Sequence, residues 1–468
     1  MNRRGMLMLS FGVAVLAGCR LGPDYDRPGV PVGFRFGKGE SGVLSLGDLD
    51  WRSVFTDPVL RDLIGAALEA SPDLAEAAAR VLRAQANVTV VRSQFYPSFG
   101  AGLSLDRRRV DQDLQIGPLT VPDAFDSDQF TAGLTLMQYE VDFWGRIRRA
   151  TEVARAQMVA TEEGRRLVES GLVAAVATAY FTLREQDHEL EIAERTLKSR
   201  RDSLELITVR QQGGQGALTD VRQAEVLVAE AEAAIKAIER QVAKLEHEIS
   251  YLCGRVPAEV RRGRPFVELR SMVTAPAGLP SDLLNRRPDI RRAEQNLVAA
   301  TAAVGEAEAR RYPAFALTAG AGLRSDEFSG LLSDPVKFWQ VGPALTVPVF
   351  TGGRLRAGVA GAKAGRDEAE AAYRRTVLQG MREVSDALVA VEKNAGLREA
   401  QGKVVAARTA AAGLIRDRWD NGVASYLEVL YNDQELFQAE LNHARARLEE
   451  LTAGISLYRA LGGGWGRE

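Results

Sequence analysis

The stretch that decides the fold is YPSFGAGLSL at residues 96–105, and residues 312–323 repeat it as YPAFALTAGAGL. In both stretches a Tyr-Pro pair precedes a run in which alternate side chains are apolar and those between them are small or polar. This period of two is typical of a β-strand with one apolar face. A second alternating run follows each stretch, so the sequence predicts strand pairs at 98–141 and 314–350.

The recurrence extends well beyond these strands. Residues 72–74 (PDL) return 216 positions later as 288–290 (PDI), and residues 145–148 (GRIR) return 208 positions later as 353–356 (GRLR). This spacing is far longer than the period of solenoid repeats. The sequence therefore predicts a tandem duplication of one large unit.

The duplication sets the predicted domain boundaries. Residues 1–18 form a signal peptide, 19–57 an extended segment, 58–262 the first repeat and 263–468 the second. Each repeat is predicted to contain a helix, a strand pair, a long helix, a turn and a further helix. In the first repeat, the helix before the strand pair is followed by predicted helices at 146–211 and 218–253. In the second repeat, helices are predicted at 288–312, 354–420 and 426–461.

The long helices carry a coiled-coil pattern. Residues 146–211 contain no proline, which allows a helix of about 66 residues and about 100 Å. Apolar residues recur there every seven positions, as coiled coils require. They are Leu183, Leu190, Leu197 and Leu204, and after the turn Val221, Val228, Ile235, Val242 and Ile249. The second repeat follows the pattern less strictly, with Leu397, Val404 and Ala411, and then Val429, Leu436 and Leu451.

The N terminus has the features of an export signal. Arg3 and Arg4 precede a short apolar run that ends in Leu-Ala-Gly-Cys at residues 16–19. This ending resembles the bacterial lipobox, in which the cysteine, here Cys19, carries diacylglycerol and becomes the first mature residue. In that sorting system an Asp after the cysteine favours inner-membrane retention, so Arg20 favours the outer membrane. No later stretch of about 18 uncharged apolar residues is present.

The strand pairs are interpreted together with this signal. On pattern alone they fit a soluble sandwich as well as a membrane barrel, but their length and the lipoprotein signal favour the barrel. Four strands cannot close a barrel, because about eight are needed, so the chain is expected to oligomerise. The polar segments 106–129 and 324–337 are predicted to be loops. Pro343 predicts a bulge or a shortened ladder in the last strand.

Composition excludes several other classes of protein. The 60 Lys and Arg residues balance 62 Asp and Glu residues, which argues against a nucleic-acid-binding protein. The two cysteines, Cys19 and Cys253, exclude a disulfide framework and a cysteine-rich metal site. The three histidines are expected to be solvated or to flank helices. No phosphate loop, nucleophile elbow or metal-ligand spacing is present, so neither an enzyme nor a metal or cofactor site is expected.

The segment GLPSDLLNRRPDI at residues 278–290 resembles the mid-chain signature of TolC-like outer-membrane factors of the NodT lipoprotein type. Residues 22–28 (GPDYDRP), 141–146 (VDFWGR) and 348–354 (PVFTGGR) resemble the same family, so the similarity covers nearly the whole chain. The resemblance implies a mainly α fold with a membrane β part. In it, a homotrimer forms a twelve-stranded barrel in outer-membrane lipid, continued by a periplasmic helical barrel.

The resemblance also implies a function and partners. The trimer would be the exit duct of a tripartite efflux pump, joined by a periplasmic membrane-fusion adaptor to an inner-membrane transporter of the RND type. Efflux of small toxic compounds is favoured over the alternative, the duct of a type I polypeptide secretion system. A non-porous structural envelope lipoprotein is a further alternative, which conductance in a planar bilayer would distinguish.

Three groups of site residues follow. Glycines are expected at the strand-to-helix junctions because they tolerate unusual backbone conformations; they are Gly145, Gly352 and Gly353. The helix turns are predicted to dock the adaptor through Gly213, Gly214, Gly216, Ala217 and Leu218, and through Asn421, Gly422, Ser425 and Leu427. The predicted periplasmic gate comprises Asp417 and Asp420, with Arg416, Arg418 and Arg210 nearby.

Overall fold

The computed structural model describes residues 20–29, 46, 49–116, 119–270 and 284–463, with backbone only for 110–125. The predicted lipid site Cys19 and the first part of the 278–290 signature lie outside the described residues. The described chain forms two compact units, one from 20–28, 82–160 and 294–372, and the other from its remaining parts.

The elements follow the duplicated order. The first part of the chain contains α1 (Trp51–Val54), α2 (Pro58–Ala70), α3 (Pro72–Ser93), β1 (Phe99–Ile116), β2 (Leu119–Val141), α4 (Arg146–Gln212) and α5 (Leu218–Leu252). The second part contains α6 (Pro288–Ala309), β3 (Ala314–Ser325), α7 (Gly330–Ser333), β4 (Val336–Thr346), α8 (Arg354–Asp420) and α9 (Tyr426–Ala460). The helices α4 and α8 have 67 residues each, and α6 ends three residues before its predicted end.

The four strands form one antiparallel sheet in the order β1-β2-β3-β4. Apolar residues lie opposite one another in register, as in the pairs Leu103–Ala132 and Ala321–Trp339. Several large apolar side chains of this face, including Phe99, Leu103 and Trp339, are exposed in the single chain. The sheet thus has an uncovered apolar face of the kind that strand alternation predicts.

Two expectations about the strands are wrong. Segment 106–129 is not a loop, because β1 and β2 stay paired as far as Ile116 and Leu119, and polar residues in the ladder pair across it. Arg107, for example, faces Asp128 and contacts its carboxylate at 3.3 Å. No bulge occurs at Pro343, because β4 is an edge strand in this chain and edge strands tolerate proline. The register shift lies in β2 instead, between Leu136 and Tyr139.

The helical seams differ between the repeats. In α4 and α5 the predicted heptad residues include the fully buried Leu183 and Ile249. In α8, Leu397 and Val404 are 42% and 44% exposed, so the predicted seam of that helix is wrong within the chain. There α8 contacts α9 through ion pairs between long side chains instead. An 18-residue window of α4 is apolar enough to cross a membrane, but 56% of that window is buried, as in a core helix.

Candidate functional site at the two helix turns

The two turns have the same backbone geometry. The α4–α5 turn is closed by a hydrogen bond from the Gln215 amide to the Arg210 carbonyl, at 2.9 Å, and the α8–α9 turn by the equivalent bond from Val423 to Arg418, also at 2.9 Å. Gly214 and Gly422 have φ angles of 76° and 75°. This combination is the Schellman ending of a helix, in which glycine adopts the left-handed conformation.

The helices that leave the turns begin differently. The Ser425 side chain accepts a hydrogen bond from the Glu428 amide, and the Glu428 carboxylate accepts one from the Ser425 amide, which forms a capping box. The corresponding residue of the first turn is Ala217, which has no side-chain cap. The second turn therefore satisfies two helix-end amides that the first turn does not satisfy in this way.

An apolar cluster lies next to the turns and joins four helices. Ile207 of α4, Val221 of α5 and Tyr426 of α9 are buried in it, and Trp419 of α8 packs against it. The ring centroids of Trp419 and Tyr426 are 5.5 Å apart, and the guanidinium of Arg210 lies 4.1 Å from the centroid of Trp419. The predicted gate residue Arg210 thus holds the end of α4 to the end of α8.

The turns carry exposed apolar side chains. Leu218 and Leu427 are 56% and 60% exposed, and Val423, which the sequence analysis did not single out, is 64% exposed. Single exposed apolar residues are common on proteins, but these side chains lie beside the two turns. Such a surface can pack against apolar residues of another helix. The position of Val423 immediately after Gly422 could have identified it in the sequence.

The two predicted gate aspartates are exposed near the end of α8. The carboxylates of Asp417 and Asp420 make no ion pair or hydrogen bond with the described part of the chain. Their spacing of three places them on neighbouring positions of one helical surface. They are free to interact with ions or with other chains.

The arginines near these aspartates have other partners. Arg416 forms an ion pair with Asp433 of α9 at 3.0 Å, and Arg418 donates to the Val423 carbonyl at 3.3 Å. The structure therefore brings neither guanidinium to Asp417 or Asp420 within the described chain. Asp433 is an inter-helix partner that the sequence analysis missed.

A buried arginine lies close to that pair. Arg200 is 5% exposed and donates to the Leu227 carbonyl at 2.7 Å and to the Gln434 side chain at 2.6 Å. Burial lowers the pKa of Arg200 from its usual value, whereas burial raises the pKa of Asp433 against the opposing effect of Arg416 and Arg200. These groups connect α4, α5, α8 and α9 beside the apolar cluster.

The strand-to-helix junctions hold the predicted glycines. Gly145, Gly352 and Gly353 have φ angles of 79°, 56° and 84°, which other residues rarely adopt. At the first junction the Asp142 carboxylate accepts hydrogen bonds from the amides of Ile147 and Arg148 at 2.9 and 3.0 Å. These bonds satisfy amides at the beginning of α4.

The described part of the chain holds no group of three or more His, Cys, Asp or Glu residues arranged to bind a metal ion. The features brought together at the turns are an apolar cluster, exposed apolar side chains and free carboxylates. These can bind helices and ions.

Fold and turns together define a class of protein: outer-membrane factors, in which a short sheet with an uncovered apolar face continues into paired long helices. The family model described as "Outer membrane efflux protein" matches residues 63–255 and 279–463. The chain is similar to the solvent efflux pump outer membrane protein SrpC of Pseudomonas putida, with 35% identity over 97% of both chains.

Solved structures agree with this match. A membrane protein from Pseudomonas aeruginosa is 31% identical with a TM-score of 0.86, over 95% of this chain and 100% of that one. The open state of the MtrE outer membrane channel of Neisseria gonorrhoeae is 29% identical with a TM-score of 0.85, over 95% and 98%. The chain belongs to the outer membrane efflux protein family, the TolC-like outer-membrane factors. This family consists of outer-membrane channels and is not an enzyme family.

Proposed function

We propose that three copies of the chain form the exit duct of a tripartite efflux pump, through which small toxic compounds leave the cell passively. The sheet supports this assembly. Its edge strands β1 and β4 each have one neighbour in the chain, and its apolar face is exposed. A membrane leaves no backbone group without a partner, so sheets cross it only as closed barrels. Three sheets of four strands give twelve strands.

The similarity to SrpC supports small toxic compounds as the cargo, because that relative is named a solvent efflux pump protein. Deletion of the gene in its own host should increase sensitivity to toluene and similar solvents, and the intact chain should restore resistance. The purified protein should have the mass of a trimer and conduct ions in a planar bilayer. A monomer, or a trimer without conductance under any condition, would contradict the proposal.

The chain is proposed to be anchored by lipid on Cys19, with its helices in the periplasm. The lipobox and Arg20 support this placement. One acyl chain binds a membrane only marginally, whereas several bind it stably. The intact mass of the purified protein should show a chain that begins at Cys19 and carries acyl groups. An unmodified Cys19 at the mature terminus would rule the anchor out.

The two turns are proposed to dock a periplasmic adaptor that leads to an inner-membrane transporter. Their exposed Leu218, Val423 and Leu427 support this role, because they offer apolar area at the helix ends. Cysteines at Ala217 and Ser425 should crosslink to the adaptor, while a cysteine at Ser127, on the strand pair, should not. Crosslinks formed only from Ser127 would place the contact elsewhere.

The gate is proposed to lie at the same end. In a trimer, Asp417 and Asp420 from three chains would surround the axis as a ring of six carboxylates. A narrow ring of this kind binds cations and restricts the passage of other solutes. The free state of both carboxylates in the described chain supports the proposal.

A further inference from the structure

A cavity of about 510 Å³ opens beside the strand-to-helix junction of the first repeat. It lies between the end of α3, the first turns of α4, the middle of α6 and the segment that follows Cys19. All four parts belong to one compact unit. Its lining residues include Arg20, Phe95, Arg148, Arg155, Val159 and Val298.

The cavity has an excess of positive charge. Arg20 contacts the Glu152 carboxylate at 2.5 Å, and Arg148 contacts Asp142 at 3.0 Å. Arg155 is exposed and makes no hydrogen bond or ion pair with the described residues. A guanidinium without a carboxylate partner at the wall of a cavity is suited to bind a phosphate, which it recognises through two parallel hydrogen bonds.

The wall that bears Arg20 is fixed by its packing. The Arg149 side chain, which is 1% exposed, donates to the carbonyls of Leu21 and Gly22 at 2.9 and 3.0 Å. Gly22 also lies so close to Gly305 of α6 that a Cβ on Gly22 would be 2.3 Å from the Gly305 Cα. The segment is thereby locked against α4 and α6. The cavity is formed before any ligand binds, which lowers the entropic cost of binding.

The position of the cavity relates it to the bilayer. Phe95 lies four residues before Phe99, where the exposed apolar face of β1 begins, and α4 begins five residues after the end of β2. Arg20 directly follows Cys19, the residue proposed to carry the membrane anchor. Side chains of α4 also tilt towards its N terminus and hence towards the strands. This step depends on the proposed function.

We propose that the cavity binds the phosphate of a glycerophospholipid from the inner leaflet of the outer membrane. Arg155 contacts the phosphate, while Arg20 and Arg148 stay paired with Glu152 and Asp142, so that Arg155 provides the uncompensated charge. Phe95, Val159 and Val298 provide an apolar wall for the glycerol and the first acyl carbons. The acyl groups on Cys19 contain no phosphate and would not use the free guanidinium.

The duplication supplies a matched control. Lys363 of α8 lies 208 positions after Arg155, the same offset that relates the first residues of α8 and α4. Lys363 is also cationic and exposed, but it has an acidic neighbour, Glu308, at 3.7 Å, and it does not line the cavity. Arg155→Gln and Lys363→Gln therefore each remove one positive charge, from corresponding positions of α4 and α8.

The experiment is native mass spectrometry of the delipidated trimer, titrated with phosphatidylglycerol. One lipid per chain should bind saturably. Arg155→Gln should weaken its affinity about fivefold, which corresponds to one cation near a lipid surface. Lys363→Gln should leave the affinity within twofold of the unmodified value. Diacylglycerol, which has no phosphate, should bind weakly.

Each other outcome overturns the proposal. Equal weakening by the two variants would mean that lipid responds to surface charge and not to the cavity. Diacylglycerol that binds as well as phosphatidylglycerol would exclude phosphate recognition, and inorganic phosphate that displaces the lipid at equal concentration would exclude a lipid as the ligand. Conductance of the same samples separates the lipid site from the proposed exit duct. A trimer that conducts but binds no lipid contradicts only the lipid site.

Discussion

The first helical hairpin, α4 and α5, and the second, α8 and α9, share a backbone design but differ in what joins their helices. The first has fully buried heptad residues such as Leu183. The second is joined by ion pairs between helices, namely Arg398–Glu450 at 2.7 Å, Arg408–Glu435 at 2.8 Å and Arg416–Asp433 at 3.0 Å. The turns are alike to within 1° in the φ angle of their key glycines.

This difference shows what duplication preserved. Backbone geometry needs only glycine at one position of each turn, so both copies retained it, whereas the side chains at the helix faces diverged. Partly exposed ion pairs contribute little to stability and are weakened by salt screening, whereas apolar seams are not weakened by that screening. The first hairpin also has a partly exposed pair, Arg201–Glu232 at 2.5 Å, but ion pairs recur along more of the second hairpin, whose helix contacts should therefore respond more strongly to salt. The second hairpin is also the one that carries the free aspartates.

The largest expected effect tests the aspartates. Asp417 and Asp420 correspond, at the 208-residue offset, to Val209 and Gln212 of the first hairpin, so only the second hairpin contributes carboxylates at these two positions. Asp417→Ala with Asp420→Ala should raise single-channel conductance several-fold and weaken cation selectivity, because charge in a narrow pore dominates ion passage. Single-channel recording of the assembled trimer measures both.

The matched variant is Val209→Ala with Gln212→Ala, which shortens the corresponding side chains without removing charge. It should leave cation selectivity unchanged. If the two double variants open the channel to the same extent, the size of the side chains and not their charge closes it. If neither changes the conductance of a correctly assembled trimer, the gate lies elsewhere.

The next effect concerns a buried acid of the first hairpin. Glu185 of α4 is 2% exposed, and burial together with the neighbouring Glu189 raises its pKa to about 7. One of its carboxylate oxygens has no hydrogen-bond partner. Because the folded-state pKa lies above the usual 4.5, the contribution of Glu185 to stability should be fully present below about pH 4.5 and be lost as the pH rises through about 7.

Glu185→Gln removes this titration. The variant should be more stable than the unmodified chain by roughly 1–3 kcal/mol at pH 8, since the buried charge is absent, and the gain should shrink towards pH 5. The melting temperature of the trimer between pH 5 and 8 measures it. Lys393, the exposed counterpart in the second hairpin, is the control: Lys393→Gln should shift the whole curve without changing its slope. If Glu185→Gln changes the melting temperature by the same amount at every pH, the raised pKa of Glu185 is contradicted.

The sequence predicted the fold well where the signals are local. Strand alternation, the heptad leucines of α4 and the glycines of the turns each depend on residues close in the chain, and Gly422 alone locates the second turn within a residue. The match of the family model and the solved structures confirmed the fold and family. What the sequence could not predict depends on distant contacts.

Asp433 illustrates the limit. It is one of many acidic residues on the polar faces of the helices, and only the antiparallel register of α8 and α9 brings it to Arg416. The strand lengths failed for a related reason: the polar residues after Asp106 resemble a loop until their cross-strand partners, such as Asp128 opposite Arg107, are known. In both cases the partner of a charged residue is decided by how two helices or two strands align, which the composition of the segment does not reveal.

The smallest effect concerns the caps of the two turns. Ser425 caps α9, and its hydroxyl accepts a hydrogen bond from the Glu428 amide at 3.3 Å, whereas Ala217 cannot cap α5. Loss of a serine cap costs about 1 kcal/mol. Ser425→Ala should therefore increase local opening at the start of α9 about fivefold. Ala217→Ser should reduce opening at the start of α5, where Asp220, three residues later, would form the second half of a capping box.

Hydrogen exchange of the Glu428 and Asp220 amides reports both changes, because exchange of amides in the first helical turn follows local opening. In the unmodified chain the Asp220 amide should exchange faster than that of Glu428. Equal rates at the two amides, unchanged by either substitution, would mean that the shared Schellman turns and the apolar cluster beside them, and not the caps, set the stability of the two ends.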